Sequence, residues 1–171
     1  GVLLLELTEE ELSIYEYFVE IPGVEVINKG NIKKPVIRGL SNNNILVLQN
    51  GVPLENYQFS ENHPFIINDL SNKKVEVIKG PASLLYGSDA VGGIINIIPK
   101  DPPPANTFSA NYLQQYHTNT EGITTHLDIG ITKDDISAGF NANINNHKDY
   151  LSGNGVYVPN SRNNKKHFSA Y

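Results

Sequence analysis

The 171 residues include no cysteine, methionine or tryptophan. Without cysteine there are no disulfides, thiolate metal sites or cysteine nucleophiles, an absence that suits a reducing cytoplasm and many bacterial envelope proteins alike. Without methionine, even at position 1, the sequence reads as a mature or excised product and not as a complete translated frame. Charge is sparse as well. Charged residues make up 18% and the net charge is −5, which supports neither a basic nucleic-acid footprint nor a disordered acidic tail. No nucleic-acid partner is expected. Long apolar runs are also missing: nothing approaches the roughly 18 residues of a transmembrane helix, and Val2 to Leu5 is too short for a signal-peptide core. A membrane role would have to be built from strands. Plentiful asparagine, threonine and serine, with aromatics that are mostly tyrosine, suit strands with one wet face and large loops.

Two periodicities divide what is there. Thr8-Glu-Glu-Glu11 has the form of a capping box, in which hydroxyl and carboxylate satisfy free amides at a helix start. Leu12, Tyr15, Phe18 and Val19 give the following short helix an apolar face, and Pro22-Gly23 ends it. Five β segments follow, at 24–27, 35–40, 45–49, 74–79 and 93–99. Ser41 to Asn44 reads as a hairpin connection, and Asn50-Gly51 as a tight turn because both residues tolerate positive φ. Pro81 to Tyr86 reads as one helical turn capped by Gly87. The first hundred residues are therefore expected to be α+β.

Asp101-Pro-Pro-Pro104 cannot continue a ladder, since prolines donate no backbone hydrogen bond, and it marks a boundary. Beyond it the sequence alternates. Ile123, Thr125, Leu127, Ile129 and Ile131 share one face, and Thr124, His126, Asp128, Gly130 and Thr132 the other. The next strand repeats the pattern, with Ile136, Ala138, Phe140, Ala142 and Ile144 opposite Ser137, Gly139, Asn141, Asn143 and Asn145; Phe108, Ala110, Tyr112 and Tyr116 do so less cleanly. A soluble sheet with one face on a core also alternates. Strands of about ten residues, joined by connections of very unequal length, match a tilted crossing in an outer-membrane barrel instead. The tight Lys133-Asp-Asp135 turn is then periplasmic, and the long polar loop from Asn146 to Lys166 extracellular.

Val36-Ile-Arg-Gly39, the run from Ile45 to Leu54, and Val75 to Ile98 with its Lys79-Gly-Pro81 and Gly92-Gly93 elements closely resemble the plug of TonB-dependent outer-membrane receptors. The resemblance runs from about Leu12 to Lys100 in the right order and includes Ile21-Pro-Gly-Val24. It implies an α+β plug, a small mixed sheet with short helices, over 1–105. The first antiparallel strands of a transmembrane β-barrel follow over 106–171: three strands, an extracellular loop and the start of a fourth. In the intact family that barrel is 22-stranded, with its lumen filled by the plug. Gly80, Gly87, Gly92 and Gly93 supply tight turns or close backbone approach. The implied function is import of a scarce chelated nutrient, such as an iron-siderophore, haem, cobalamin or metal complex, across the bacterial outer membrane. The implied partners are TonB with its inner-membrane energising complex, the small-molecule metal chelate and outer-membrane lipid. Neither a covalent reaction nor a cofactor is implied. A binding-only or signalling receptor, and a soluble periplasmic α+β binding domain, are the alternatives.

The resemblance makes Arg38 and Lys79 candidates for facing barrel carboxylates and seating the plug. Lysine at 79, where arginine is commoner, lacks the planar fork for bidentate pairing. If 24–27 runs outward, the turn within 28–34 lies at the outer apex with Lys29 and Asn31, and 55–64 forms a second apical loop. That loop carries Glu55, Tyr57, Phe59, Glu61 and His63, a mixture of aromatic platforms and ligating groups. Some metal-importing members place an Asp-His pair near this point. Here Asn62 precedes His63, which favours an organic chelate over a bare ion. Gly80 to Gly87 is not a phosphate loop, since no Gly-Lys-Ser/Thr ending follows, and none of the five histidines has metalloprotease spacing. Nothing in the sequence supports an enzyme.

Overall fold

The computed structural model describes residues 2–6, 14–29, 32–54, 71–87 and 90–171. The chain divides into two compact units, Gly1–Lys100 and Asp101–Tyr171. Among the described residues no helix is long and apolar enough to cross a membrane.

The first unit is organised by a five-stranded mixed sheet. Its strands are β1 (Val2–Glu6), β4 (Ile45–Gln49), β5 (Val52–Pro53), β6 (Asn72–Ile78) and β7 (Gly93–Pro99), in the order β1-β6-β7-β4-β5. β4 runs parallel to β7 and the other pairs are antiparallel. β4 and β7 begin and end where the sequence places them. β1 was not anticipated: it pairs along β6 from Val2 opposite Ile78 to Glu6 opposite Lys74.

Strand parity gives this sheet two faces. Ile45, Val47, Val75, Val77, Ile95 and Ile97 point one way and are buried together with Ile14, Phe18 and Ile21, and with Val24 and Ile37 of a separate hairpin. Leu48, Ile78, Ala90 and Ile94 form a smaller cluster with Leu46. A polar chain crosses the sheet: Asn96 donates to Glu76 at 2.9 Å and accepts from the Gly51 amide at 3.0 Å, tying β6, β7 and the β4–β5 turn together. Glu76 also pairs with Lys74 at 3.0 Å. The hydrogen bond from Asn96, with the help of Lys74, holds the Glu76 carboxyl below its usual range despite the opposing effect of burial.

Helix α1 (Ile14–Glu20) has seven residues, too few to be stable alone, and persists through packing. Its buried stripe is Ile14, Tyr17 and Phe18, continued by Ile21 just after the helix. This corrects the expected face. Val19 is 61% exposed and Tyr15 is only partly buried, lying edge-on to Phe18. The proposed capping box and Leu12 lie outside the described residues.

β2 (Val24–Lys29) and β3 (Ile32–Ile37) form a separate antiparallel hairpin. β3 ends earlier than expected because Arg38 and Gly39 both take positive φ, 52° and 78°, closing a two-residue turn onto Leu40. Ser41 to Asn44 is likewise not a hairpin connection. A short 3-10 turn at Asn42–Asn44 carries the chain from β3, in one sheet, to β4 in another. Asn50-Gly51 does close a hairpin, β4 to β5, with φ of 50° and 80°. Pro81–Tyr86 is 3-10 helical.

The second unit is a four-stranded antiparallel meander: β8 (Thr107–His117), β9 (Gly122–Lys133), β10 (Ile136–His147) and β11 (Asn163–Ala170), in the order β11-β10-β9-β8. β11 starts at Asn163, three residues before the expected end of the loop, and pairs with β10 up to His147. The twelve residues of β9 span about 40 Å along the strand, or about 28 Å at a 45° tilt, enough to cross a hydrocarbon layer.

Candidate functional site

The registers of the meander sort its side chains into two opposite surfaces. On one face, row by row, stand Tyr112, Leu127, Ala142 and Phe168, then Ala110, Ile129, Phe140 and Ala170, then Phe108, Ile131 and Ala138. On the other stand Gln115, Thr124, Asn145 and Lys165, then Leu113, His126, Asn143 and His167, then Asn111, Asp128, Asn141 and Ser169. The apolar face is the exposed one. Tyr112 is 64% exposed, Phe108 65% and Phe168 57%, whereas His126, Asn141 and Asn143 on the polar face are at 4–6%. A soluble half-buried sheet would have the reverse arrangement. Phe140 and Phe168 stack on the exposed face with ring centroids 6.4 Å apart. Toward the loop end that face becomes mixed, with Tyr116, Gln114, Asn146, Asn164 and Lys166 beside Ile123 and Ile144.

The turn end is closed tightly. Asp134 takes φ of 52° in the two-residue connection between β9 and β10, and its amide donates to Asn106. Thr132 donates to the Pro103 carbonyl at 2.7 Å, so the proline run is held against the polar face. Glycine makes room there for an aromatic ring: a Cβ at Gly139 would lie 2.3 Å from the Tyr171 ring, and one at Gly130 2.9 Å from its hydroxyl and from Pro103.

The opposite end carries both longer connections, residues 118–121 and 148–162, and they are bonded together. Lys148 and Leu151 amides donate to the Thr120 and Asn119 carbonyls, and the Lys148 ammonium pairs with Glu121 at 2.8 Å. That hydrogen bond and charge hold the exposed Glu121 carboxyl below its ordinary range and the Lys148 ammonium above its own. Within the long loop, Asp149 accepts from the Ser161 and Arg162 amides at 2.8 and 2.7 Å, and Leu151 bridges to Tyr157. The loop is polar, as its composition suggests, but it is also folded on itself.

Below these loops, at the top of the polar face, two imidazoles meet. The His117 and His147 rings lie 4.8 Å apart, and Thr120 Oγ1 is 2.8 Å from His147 Nδ1. His117, His126, His147 and His167, four of the five histidines in the chain, all belong to this face. Sequence reading placed His126 there by parity but did not assemble the group. The signal was available only in part: parity orients a histidine within its strand, while the pairing of His117 with His147 depends on register and loop path.

The anticipated site residues fare unequally. Arg38 is exposed on its left-handed turn, where its amide donates to the Gly23 carbonyl. The Lys79 ammonium donates to the Pro22 carbonyl, tying the end of β6 to the turn after α1. Lys29 closes β2 at the tip of the hairpin. Asn31, Glu55, Tyr57, Phe59, Glu61 and His63 lie outside the described residues. Among the described residues, no three histidine, aspartate or glutamate side chains converge as a metal-binding group.

Comparison with known proteins agrees with this architecture. The family described as TonB-dependent Receptor Plug Domain matches residues 6–94, which is 89 of the 171. The FrpB iron transporter from Neisseria meningitidis superimposes with a TM-score of 0.78 at 20% identity, over 99% of this chain and 28% of that one. The copper transporter OprC gives 0.76 at 24% identity, over 99% and 26%. The siderophore receptor PirA from Acinetobacter baumannii gives 0.64 at 23%, over 88% and 25%. The chain thus spans about a quarter of the length of these structures. A plug match over half the sequence, followed by antiparallel strands that superimpose on receptor barrels, means that this chain belongs to the TonB-dependent receptors.

Proposed function

We propose that the chain supplies the plug, over 1–105, and the opening barrel strands, over 106–171, of an outer-membrane transporter that uses TonB and its energising complex to import a chelated nutrient. The observation that carries this reading is the inverted meander: apolar side chains exposed on one face, asparagine, threonine and histidine buried on the other. Lipid outside and a hydrated or plug-filled lumen inside would stabilise that arrangement. A soluble periplasmic domain would leave the apolar face in water at a cost of about 25 cal/mol for every Å². FrpB, OprC and PirA, named for iron, copper and siderophores, support a metal-bearing cargo. In this arrangement 134–135 is the periplasmic turn and 148–162 an extracellular loop. The apical residues Lys29, Asn31, Glu55, Tyr57, Phe59, Glu61 and His63 would meet the chelate from the plug, with Arg38 and Lys79 seating it.

The test is growth under iron or copper limitation of cells expressing the full-length receptor, supplied with individual chelates, with and without TonB. Uptake requiring both receptor and TonB is expected. Binding without TonB-dependent accumulation would indicate a binding-only or signalling receptor. His63→Ala and Tyr57→Ala should lower chelate affinity without lowering the amount of receptor in the outer membrane; unchanged binding by both would move the site off that loop.

A further inference from the structure

The histidine pair at the loop end has the features of a built ligand site. His117 Nε2 lies 3.1 Å and His147 Nε2 3.4 Å from the same atom, the hydroxyl oxygen of Thr124. A hydroxyl carries one proton and can donate it to only one of two nitrogens. The other end of His147 is fixed. Its Nδ1 sits 2.8 Å from Thr120 Oγ1, and the tautomer that donates there leaves Nε2 with its lone pair directed at Thr124. An imidazole whose Nδ1 is held by a hydrogen bond presents Nε2 as the ligating nitrogen, the usual arrangement of a metal-binding histidine, and the Thr124 hydroxyl that both Nε2 atoms share is the group an ion would displace.

The backbone has been shaped around the ring. A Cβ at Gly122 would lie 2.4 Å from His147 Nδ1, so the imidazole occupies space that only glycine leaves at that position. Thr120 is itself pinned, since its carbonyl accepts from the Lys148 amide at 3.0 Å. Thr120 and Thr124 are buried while both rings are only partly so, which leaves the imidazoles accessible to a small ligand.

We propose that His117 Nε2 and His147 Nε2 form a two-imidazole site for a borderline divalent transition-metal ion, Cu²⁺ before Zn²⁺, at the loop end of the polar face. Imidazole nitrogens bind such ions at about 2.0–2.1 Å, and among first-row dications copper binds nitrogen donors most tightly. Among the described residues no third histidine, aspartate or glutamate joins the pair, so water or donor atoms of a small chelator complete the coordination. Such an ion is held as a labile, exchangeable species. The proposal does not depend on what the receptor transports.

The test uses full-length receptor in detergent, titrated with CuCl₂ and followed by electron paramagnetic resonance. Wild type should bind one more Cu²⁺ per chain than the His117→Gln/His147→Gln double variant, with nitrogen hyperfine structure that the variant lacks. Thr120→Val should weaken that site about 10–100-fold, the usual effect of removing a partner of a ligand. Identical stoichiometry and spectra in wild type and double variant would overturn the proposal. Should the double variant fail to assemble, wild-type protein still decides the matter: Zn²⁺ should protect His117 and His147, but not the partly exposed His167, from diethyl pyrocarbonate. Equal modification of His117 and His147 with and without Zn²⁺ would overturn it as well.

Discussion

The two units bury opposite kinds of side chain. In residues 14–97 the hidden groups are mostly isoleucine, valine, leucine and phenylalanine, gathered between a sheet, a short helix and a hairpin, with Lys34 and Asn72 as buried polar exceptions. In residues 120–143 they are threonine, histidine and asparagine, and the large apolar residues are outside. Both regions obey the same period-2 rule of strands. Hydrophobicity fixes which residues share a face, while the surroundings decide which face is hidden. A chain that passes from one regime to the other at Asp101-Pro-Pro-Pro104 therefore applies one strand pattern with two opposite patterns of burial.

The most damaging change should be one that empties the conventional core. Phe18 is fully buried against both strands and hairpin, and Phe18→Ala should cost the plug unit about 3–5 kcal/mol. Hydrogen exchange on the full-length receptor would show this as lost protection of β4, β6 and β7 amides. Unchanged protection would mean that α1 is an ornament on a self-sufficient sheet.

The inversion itself is tested by neighbouring positions on β10. Phe140→Arg places a charge on the exposed apolar face and should impair assembly by about 2–4 kcal/mol if the site lies near the bilayer midplane. Asn141→Arg, one residue on, points to the polar face and should be tolerated better. The readout is the fraction of receptor with heat-modifiable mobility in outer membranes. Equal tolerance would erase the contrast between the units.

How much of this was legible beforehand differs by feature. The limits of β4 and β7 could be read because an apolar run ends at Asn50-Gly51 in one case and starts after Gly92 in the other. Face assignments along β9 and β10 needed only parity. Three things could not be read locally. Residues 14–21 carry two candidate stripes at helical spacing, and only burial in the core shared with the hairpin and the sheet chooses Ile14 and Phe18 over Tyr15 and Val19. Ser41 to Asn44 has the chemistry of a chain reversal, but turn chemistry does not say which strands become partners. β1 is four apolar residues and a glutamate whose strand character depends on a partner more than sixty residues away. The histidine pair escaped for the same reason, since it is a product of register.

A smaller effect is expected where the second unit packs a ring on its glycines. Gly139→Ala would push a methyl group into the Tyr171 ring and should cost about 1–3 kcal/mol as overpacking. Combining it with Tyr171→Ala should recover part of that loss in a double-mutant cycle on urea unfolding of the receptor. Strict additivity would place the ring elsewhere.

The smallest effect concerns the polar chain that crosses the conventional sheet. Glu76 accepts from Asn96 and pairs with Lys74, and these contacts hold its carboxyl below the ordinary glutamate range. A carboxylate with a lowered folded pKa stabilises the fold above its unfolded pKa and loses that contribution as pH falls through the folded value. Glu76 is mostly but not wholly shielded, and glutamine can still accept from Asn96, so Glu76→Gln should cost less than about 1 kcal/mol near neutral pH. The difference between wild type and variant should be constant from pH 7 to about pH 5 and shrink below the ordinary glutamate range. Hydrogen exchange of β6 and β7 amides, corrected for intrinsic rates, reads it at each pH. A difference that grows on acidification would mean that Glu76 is stabilised as the neutral acid, and would reverse the roles assigned to Asn96 and Lys74.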